Sequence, residues 1–238
     1  ESSYGIPAIY LNDWPDRYIH TNFDTPANID PTKLQRAAFI GAASALFLAN
    51  LKSSNVPALW SEMQSAMLRR AATMLERRRV LAPADAAALT RSYLRTERAA
   101  FESIATFAVI PDSVRQSATA FFQRLQTITG APPAAAATGE GAAVYSRDAK
   151  VKGPMVVFGY DYLVDHSNGR TPPRLLAWQG ARGAGDEYAY EVLNLVDGKR
   201  SARDIRDEVS AEYGPVSLDL VTEYLGALEG AGVIRPAR

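Results

Sequence analysis

Residues 186–234 read DEYAYEVLNLVDGKRSARDIRDEVSAEYGPVSLDLVTEYLGALEGAGVI. In three consecutive stretches, apolar residues recur every three or four positions, which is the spacing of a helix with one buried face. These positions are Ala189, Val192, Leu193 and Val196, then Ile205, Val209 and Tyr213, then Leu218, Val221, Leu225 and Leu228. Turn-forming pairs, Asp197-Gly198 and Gly214-Pro215, separate the stretches. The pattern predicts three helices, followed by a short closing strand at Val233 and Ile234.

Serine residues mark the starts of the second and third helices. Ser201 and Asp204 have the spacing of a capping box, and Ser217 predicts a simple N-terminal cap. Three short helices closed by a strand predict a winged-helix arrangement. Ahead of them, residues 155–160 and 175–178 predict two short strands around a turn-rich loop, and therefore a β-hairpin.

The segment before this hairpin has a helical pattern. Residues 56–130 lack strand alternation and predict three helices, broken near Pro83 and Pro111. Their many arginines are interspersed with acidic residues, which favours a solvated, salt-bridged face over a polyanion site. Residues 131–153 predict a linker, because their proline- and alanine-rich start buries too little apolar surface to offset the entropy lost on ordering.

The first 51 residues predict the end of an α/β domain. Residues 6–11 form a buried-strand pattern, and a long loop then leads to a helix that Asp30 caps and Pro31 begins. This helix is small and apolar nearly all round at its lower end, so we expect it to pack against a sheet. One strand and one helix cannot bury both their faces alone. We therefore expect the rest of the sheet to precede residue 1.

Composition restricts the classes of function. The chain has 26 basic and 26 acidic residues, so no global field attracts nucleic acid or anionic lipid. It has no cysteine, which excludes disulfides, thiolate metal sites and a cysteine nucleophile. No apolar run approaches the ~20 residues that span a bilayer, so we expect no membrane span in this chain.

The two histidines are the first candidates for a metal site. His20 and His166 each lack a nearby second histidine or spaced carboxylate pair, so spacing alone favours a structural or exposed role for both. Asp161 and Asp165 are close to His166 in sequence, but a Gly- and Pro-rich exposed loop explains this segment better than a catalytic triad does.

A longer sequence pattern around His20 favours a metal-binding role for this histidine. The pattern is Tyr4-Gly5-Ile6-Pro7-Ala8-Ile9-Tyr10-Leu11, then Tyr18-Ile19-His20-Thr21-Asn22-Phe23-Asp24-Thr25-Pro26, then Ile29-Asp30. It closely resembles the end of the catalytic domain in the di-zinc aminopeptidase family typified by aminopeptidase Y and bacterial leucyl aminopeptidase. In that family a His-Thr-x-x-Asp-Thr segment delivers the last zinc ligand before the terminal helix. The resemblance implies that His20 is this ligand, that the whole enzyme holds two zinc ions, and that it is periplasmic or secreted.

Three neighbours of His20 are further candidates. Asp24 and Thr25 lie four and five residues later, where they either orient the ligand from a second shell or cap a turn, and the sequence leaves both open. Tyr18 is a candidate catalytic residue that would donate to a developing oxyanion. The family's His-x-Asp element, its Glu-Glu pair with the general base and its further acidic ligand have no match here. The chain alone is therefore expected to bind zinc poorly and to hydrolyse nothing.

A second resemblance covers residues 190–234. The run Leu195-Val196-Asp197-Gly198-Lys199-Arg200-Ser201, with Ile205 and Tyr213-Gly214, resembles the small PqqD-type winged helix. The resemblance implies peptide binding, which such modules often achieve by adding a strand to their β-edge.

Winged helices also bind DNA, but the local charge argues against that role. Residues 186–234 contain eleven acidic residues against four basic ones. Asp219, Glu223 and Glu229 lie in the third helix, where a recognition helix would need basic residues to contact phosphates. We therefore expect no nucleic-acid partner.

These observations predict four segments. Residues 1–51 are the last strand and helix of a zinc-exopeptidase α/β domain, 52–130 are all-α, 131–153 are a linker, and 154–238 are a β-hairpin with an α+β winged helix. The predicted function is a zinc-dependent aminopeptidase acting on peptides or proteins, with this chain as its C-terminal portion. The alternatives are a non-catalytic peptide-binding winged-helix protein with a degenerate or incomplete zinc site, a DNA-binding regulator, and glutaminyl-cyclase-like acyl transfer on a related zinc fold.

Overall fold

A computed structural model describes residues 9–11, 15–131, 137–151, 155–157, 160–167 and 169–237. In these residues the chain is mostly helical, with small two-stranded antiparallel sheets. Its buried apolar residues form two clusters, one between Leu51 and Leu125 and the other between Leu163 and Ile234. We call these parts the helical unit (51–131) and the C-terminal unit (137–237).

The first long helix, α1 (Pro31–Ala49), begins where the sequence predicts. The Oδ1 atom of Asp30 accepts hydrogen bonds from the backbone N–H groups of Thr32, at 2.8 Å, and Lys33, at 3.3 Å. None of the residues of α1 is buried, and Phe39 is 71% exposed. The predicted strand at residues 6–11 lies largely outside the described residues; its last three residues, 9–11, are exposed and form no strand.

Three helices build the helical unit, as predicted. They are α2 (Val56–Arg78), α3 (Pro83–Glu102) and α4 (Asp112–Thr129). Both predicted breaks are confirmed, because α3 begins at Pro83 and Pro111 directly precedes α4. The unit packs around Trp60, whose ring centroid lies 4.9 Å from that of Phe101 in an edge-to-face contact.

Three further helices carry the core of the C-terminal unit and confirm the opening pattern. They are α6 (Gly185–Asn194), α7 (Ala202–Tyr213) and α8 (Leu218–Gly230), preceded by the short α5 (Tyr162–Asp165). The capping box at Ser201 is present, with Ser201 Oγ accepting from the Asp204 N–H at 3.2 Å. Ser217 occupies the N-cap position of α8, but the predicted side-chain cap is wrong, because its hydroxyl makes no capping hydrogen bond.

The closing strand is present and has a partner that the sequence did not indicate. Strand β4 (Ile234–Pro236) pairs antiparallel with β1 (Tyr145–Arg147), with Ser146 opposite Arg235. Strand β1 lies inside residues 131–153, so that part of the predicted linker is ordered by pairing with the end of the chain.

The predicted hairpin between residues 155–160 and 175–178 is wrong in its second strand. Strand β2 (Val156–Val157) pairs with β3 (Tyr160–Asp161), while Arg174–Ala177 form a 3-10 helix. Pro173 precedes this turn with φ at −57°, and Leu175 is fully buried against α6 and α8. A single turn of 3-10 helix buries Leu175 without needing a strand partner.

The sequence also predicts that this chain contains no membrane span. Among the helices in the described part of the chain, none is by itself long and apolar enough to cross a bilayer. Taken together, α1 and residues 53–78 pass by length and composition, but a bend of 119° separates them.

Candidate functional site

The loop between residues 15 and 30 holds the candidate metal ligand. Asp16 organises its start, because Oδ1 accepts from the backbone N–H groups of Tyr18, at 2.8 Å, and Ile19, at 3.1 Å. Thr21 closes the turn: its hydroxyl donates to the Tyr18 carbonyl at 2.6 Å and accepts from the Phe23 N–H at 3.1 Å. Hydrogen bonds on both sides therefore fix the backbone around His20.

His20 has an uncommon backbone conformation. Its φ is +63°, and it is the only non-glycine residue with a positive φ among the described residues. L-residues pay a steric penalty in this left-handed region, and such positions concentrate at ligand clamps and active sites. The imidazole is exposed at the tip of the turn.

The structure places the other predicted residues around this turn without joining them to His20. Tyr18 and Asp24 line an open concave surface between the loop and the first half of α1. Asp24 donates from its backbone N–H to the Thr21 carbonyl at 3.2 Å, and Thr25 precedes a 3-10 helix, Pro26–Asn28, without a side-chain cap. Within residues 15–30, no hydrogen bond links Asp24 or Thr25 to the imidazole. Neither of the two roles left open for these side chains, the second-shell contact with His20 and the turn cap, is therefore observed among the described residues.

His166 has a different environment. Its ring stacks on Tyr162 with centroids 3.8 Å apart and planes at 12°, and Nδ1 lies 2.9 Å from the Tyr162 carbonyl oxygen. No hydrogen bond joins it to Asp161 or Asp165 in the described residues, and Asp161 instead caps α5 through the Val164 N–H at 3.0 Å. The imidazole is thus held by its own helical turn.

Comparisons with protein-family models, with curated proteins and with solved structures find no match to this chain.

The donors needed for a metal site are incomplete in the described residues, which contain no group of three or more His, Asp, Glu or Cys side chains able to hold an ion. A tetrahedral zinc site needs at least three protein ligands. His20 therefore fits a zinc site only as one ligand among donors from elsewhere.

The exposed face of α8 carries two carboxylates, Asp219 and Glu223, which pair with Arg174 of the 3-10 helix. Arg174 donates through its backbone N–H, at 3.0 Å, and through Nε, at 2.6 Å, to the Glu223 carboxylate. These hydrogen bonds hold the pKa of Glu223 below its usual value. The carboxylate of Asp219 accepts a hydrogen bond from Nη2 of the same arginine at 3.1 Å. Two ionised carboxylates on this helix disfavour approach of a phosphate backbone.

The edges of the β1–β4 sheet bear on the predicted peptide binding. The outer side of β1 is occupied, since Gly198 N–H donates to the Tyr145 carbonyl at 3.0 Å. The bond from Ala237 N–H to the Val144 carbonyl places Pro236 at a non-hydrogen-bonded position of the ladder, so its backbone faces outward. Proline has no N–H, so the outer edge of β4 lacks a donor there. Neither edge offers a full ladder to an added strand.

Proposed function

We propose that this chain is the C-terminal portion of a zinc-dependent aminopeptidase, in which His20 is the last zinc ligand of the catalytic domain. The observation that carries the proposal is the left-handed backbone at His20, at φ +63°, inside a turn that Asp16 and Thr21 hold on either side. A strained non-glycine residue persists where its surroundings fix it, and strain at a metal ligand presets the direction of the imidazole.

The surface of α1 supports the same proposal. The helix is apolar along most of its length, yet Leu34, Phe39 and Leu46 are each at least 60% exposed. Large exposed apolar side chains along a helix are typical of a surface that contacts a partner. In the proposed enzyme, the sheet of the catalytic domain covers α1 and places the His20 turn at the mouth of that sheet.

In such an enzyme, the zinc site would supply an activated water molecule and polarisation of the scissile carbonyl. The residues of this chain would position the metal and the substrate. The imidazole of His20 would donate a ring nitrogen to zinc, and the Tyr18 hydroxyl would hydrogen-bond an oxyanion in the cleft. The carboxylate of Asp24 would support the imidazole from a second shell. These roles need the general base and remaining ligands of the complete domain.

The C-terminal unit, which we propose to be a winged helix, has a separate role as a module attached to the catalytic domain. A peptide-binding function for this module, without catalysis, is the competing proposal. Pro236 and the contact between Gly198 and Tyr145 weaken it, because both remove hydrogen-bonding capacity from the sheet edges.

The test uses the gene product with any residues encoded ahead of Glu1. Release of free amino acids would be measured from peptides with an open amino terminus and from the same peptides after N-acetylation. The variants are His20→Ala and, as the matched control, His166→Ala, which removes the other histidine of residues 1–238.

The proposal predicts that only the open peptides are cleaved and that His20→Ala lowers kcat/KM by more than about 100-fold, since even outer-shell partners of metal ligands contribute 10- to 100-fold. His166→Ala should retain wild-type activity. A wild-type protein that releases no amino acid, or a His20→Ala variant with full activity, would refute the aminopeptidase assignment. Release of ammonia from N-terminal glutamine without peptide cleavage would instead identify the cyclase chemistry.

A further inference from the structure

Helix α7 has two faces of opposite character. Its apolar face, Ala202, Ile205 and Val209, is fully buried in the core of the C-terminal unit. Its second face carries carboxylates three and four residues apart, at Asp204, Asp207 and Glu208. An amphipathic helix with a charged outer face is the usual exterior of a globular unit. The hydrophobic core of the C-terminal unit therefore lies on the other side of α7 from this acidic face.

Helix α3 of the helical unit covers the acidic face with complementary groups. Arg91 Nη2 lies 2.7 Å from Asp207 Oδ2, and Arg95 Nη1 lies 3.2 Å from Asp204 Oδ1. Arg95 Nε also contacts Glu208.

Three more polar links join the same two units. The Ser92 hydroxyl donates to the Glu208 carboxylate, and Arg77 donates to the Ala211 carbonyl. One pair has the opposite polarity, with Arg206 of α7 donating to Asp85 of α3. At least five hydrogen bonds and ion pairs therefore join α3 to α7, and Arg77 of α2 adds a sixth polar interaction between the two units.

The hydrophobic cores of the two units are separate. Each of the two hydrophobic clusters contains residues of one unit only, and no cluster of described residues spans both. Three buried apolar residues of α2 and α3, Met74, Ala88 and Leu89, belong to neither cluster, so the apolar part of the contact is at most a few side chains.

The two parts of the chain also carry opposite net charge. Residues 52–130 contain eleven basic and six acidic residues, whereas residues 131–238 contain fifteen acidic and twelve basic ones. Opposite charge on two partners favours their association, and the effect falls as ionic strength rises.

We propose that the α3–α7 contact is a salt-labile joint, through which the C-terminal unit attaches to and detaches from the helical unit while both stay folded. Opening returns the arginines and carboxylates to water, so no charge is left buried without a partner. The joint would allow the C-terminal unit to change position relative to the helical unit and to any domain attached to residue 1.

The absence of cysteine permits a direct test on the whole chain. Gln123→Cys, on the exposed side of α4, and Glu229→Cys, on the exposed end of α8, would carry spin labels for electron–electron distance measurement. Distances would be recorded at about 50 mM and 1 M NaCl, between which the Debye length falls from more than 10 Å to about 3 Å. The same measurement at low salt would be made on Arg91→Ala/Arg95→Ala, and on Arg174→Ala as a control that breaks ion pairs inside one unit.

The joint predicts a narrow distance distribution at low salt that broadens toward longer distances at 1 M NaCl and in Arg91→Ala/Arg95→Ala, with unchanged far-UV circular dichroism. The Arg174→Ala control should keep the narrow distribution. An unchanged distribution in the wild-type chain at 1 M NaCl overturns the proposal, whatever the double variant does. Longer distances accompanied by loss of helical signal also overturn it, because they would report unfolding.

Discussion

Arg91 of α3 forms an ion pair with Asp207 of α7, with Nη2 2.7 Å from Oδ2. Only 8% of the Asp207 side chain is exposed, which is less than for the two carboxylates that Arg95 contacts. Arg206 contacts the other carboxylate oxygen of Asp207 at 3.1 Å. Asp207 is therefore held between an arginine of its own helix and one from the helical unit.

This pair should be costly to break from one side. Arg91→Ala leaves the Asp207 carboxylate largely buried with Arg206 alone, and we expect a loss of about 1–3 kcal/mol in the free energy of unfolding. Urea denaturation of Arg91→Ala, Asp207→Asn and the double variant completes a double-mutant cycle. A coupling energy indistinguishable from zero would contradict the interaction.

Two apolar positions on α4 should respond in opposite ways to truncation. Leu125 is 1% exposed inside the helical core, so Leu125→Ala should lower the free energy of unfolding by about 2–5 kcal/mol. Ile128, three residues later, is 66% exposed, and Ile128→Ala should change it by less than about 0.5 kcal/mol. Thermal unfolding followed by circular dichroism compares them; equal shifts in Tm would mean that α4 is rotated from its described position.

Glycines in the C-terminal unit provide a second matched pair. A methyl group on Gly185, at the start of α6, would collide with the backbone carbonyl oxygens of Leu175 and Leu176, so Gly185→Ala should destabilise by about 1–3 kcal/mol or more. Gly226, inside α8, has open space around its added methyl position. Gly226→Ala should stabilise by about 0.5–1 kcal/mol, because alanine is the better helix former. The same sign of change in both variants would refute this packing.

The capping box of α7 predicts a dependence on pH. Burial alone would raise the pKa of Asp204, but hydrogen bonds from Ser201 and from Arg95 outweigh it and hold the pKa below 3.8. A lowered folded-state pKa stabilises the protein above the unfolded value, and this stabilisation disappears as pH falls through the folded value. Asp204→Asn should therefore be less stable than wild type near pH 6, with the gap closing below about pH 4. Urea midpoints at pH 6 and pH 3 measure it, and a gap of constant size would exclude this linkage.

The helices could be predicted from sequence because their signals are local. The 3.6-residue periodicity, Asp30 before α1, Pro83 at the start of α3 and the Ser201–Asp204 box each act within one or two turns. The short strands could not be predicted in the same way. Strand β1 has three residues, and its partner β4 lies at the other end of the unit, so its pairing is set by the tertiary fold.

The remaining differences have similar physical origins. A short apolar run such as Leu175–Trp178 fits a strand or a helical turn equally well, and the burial of Leu175 against α6 and α8 decides the outcome. The arginines of residues 56–130 were predicted to form a solvated, salt-bridged face. Arg91 and Arg95 are salt-bridged, but to carboxylates more than 100 positions later in the chain. The i, i+4 spacing of these arginines and the grouping of Asp204, Asp207 and Glu208 within about one turn of α7 were the available signals for this contact.

Only part of the candidate site could be predicted from the sequence. His20 came from a resemblance, and its backbone conformation, which depends on the hydrogen bonds of Asp16 and Thr21, is visible only in three dimensions. The open surface lined by Tyr18 and Asp24 likewise depends on how the loop returns along α1.

The measurement that bears most directly on the proposed function is the zinc content of the protein expressed with any residues encoded ahead of Glu1. After gel filtration in metal-free buffer, elemental analysis would give zinc per chain for wild type, His20→Ala and His166→Ala. We predict close to two zinc ions in the wild type and in His166→Ala, and a clear loss in His20→Ala with unchanged circular dichroism. Equal zinc in His20→Ala and wild type, or no zinc in any of the three proteins, would contradict the assignment of His20 as a ligand.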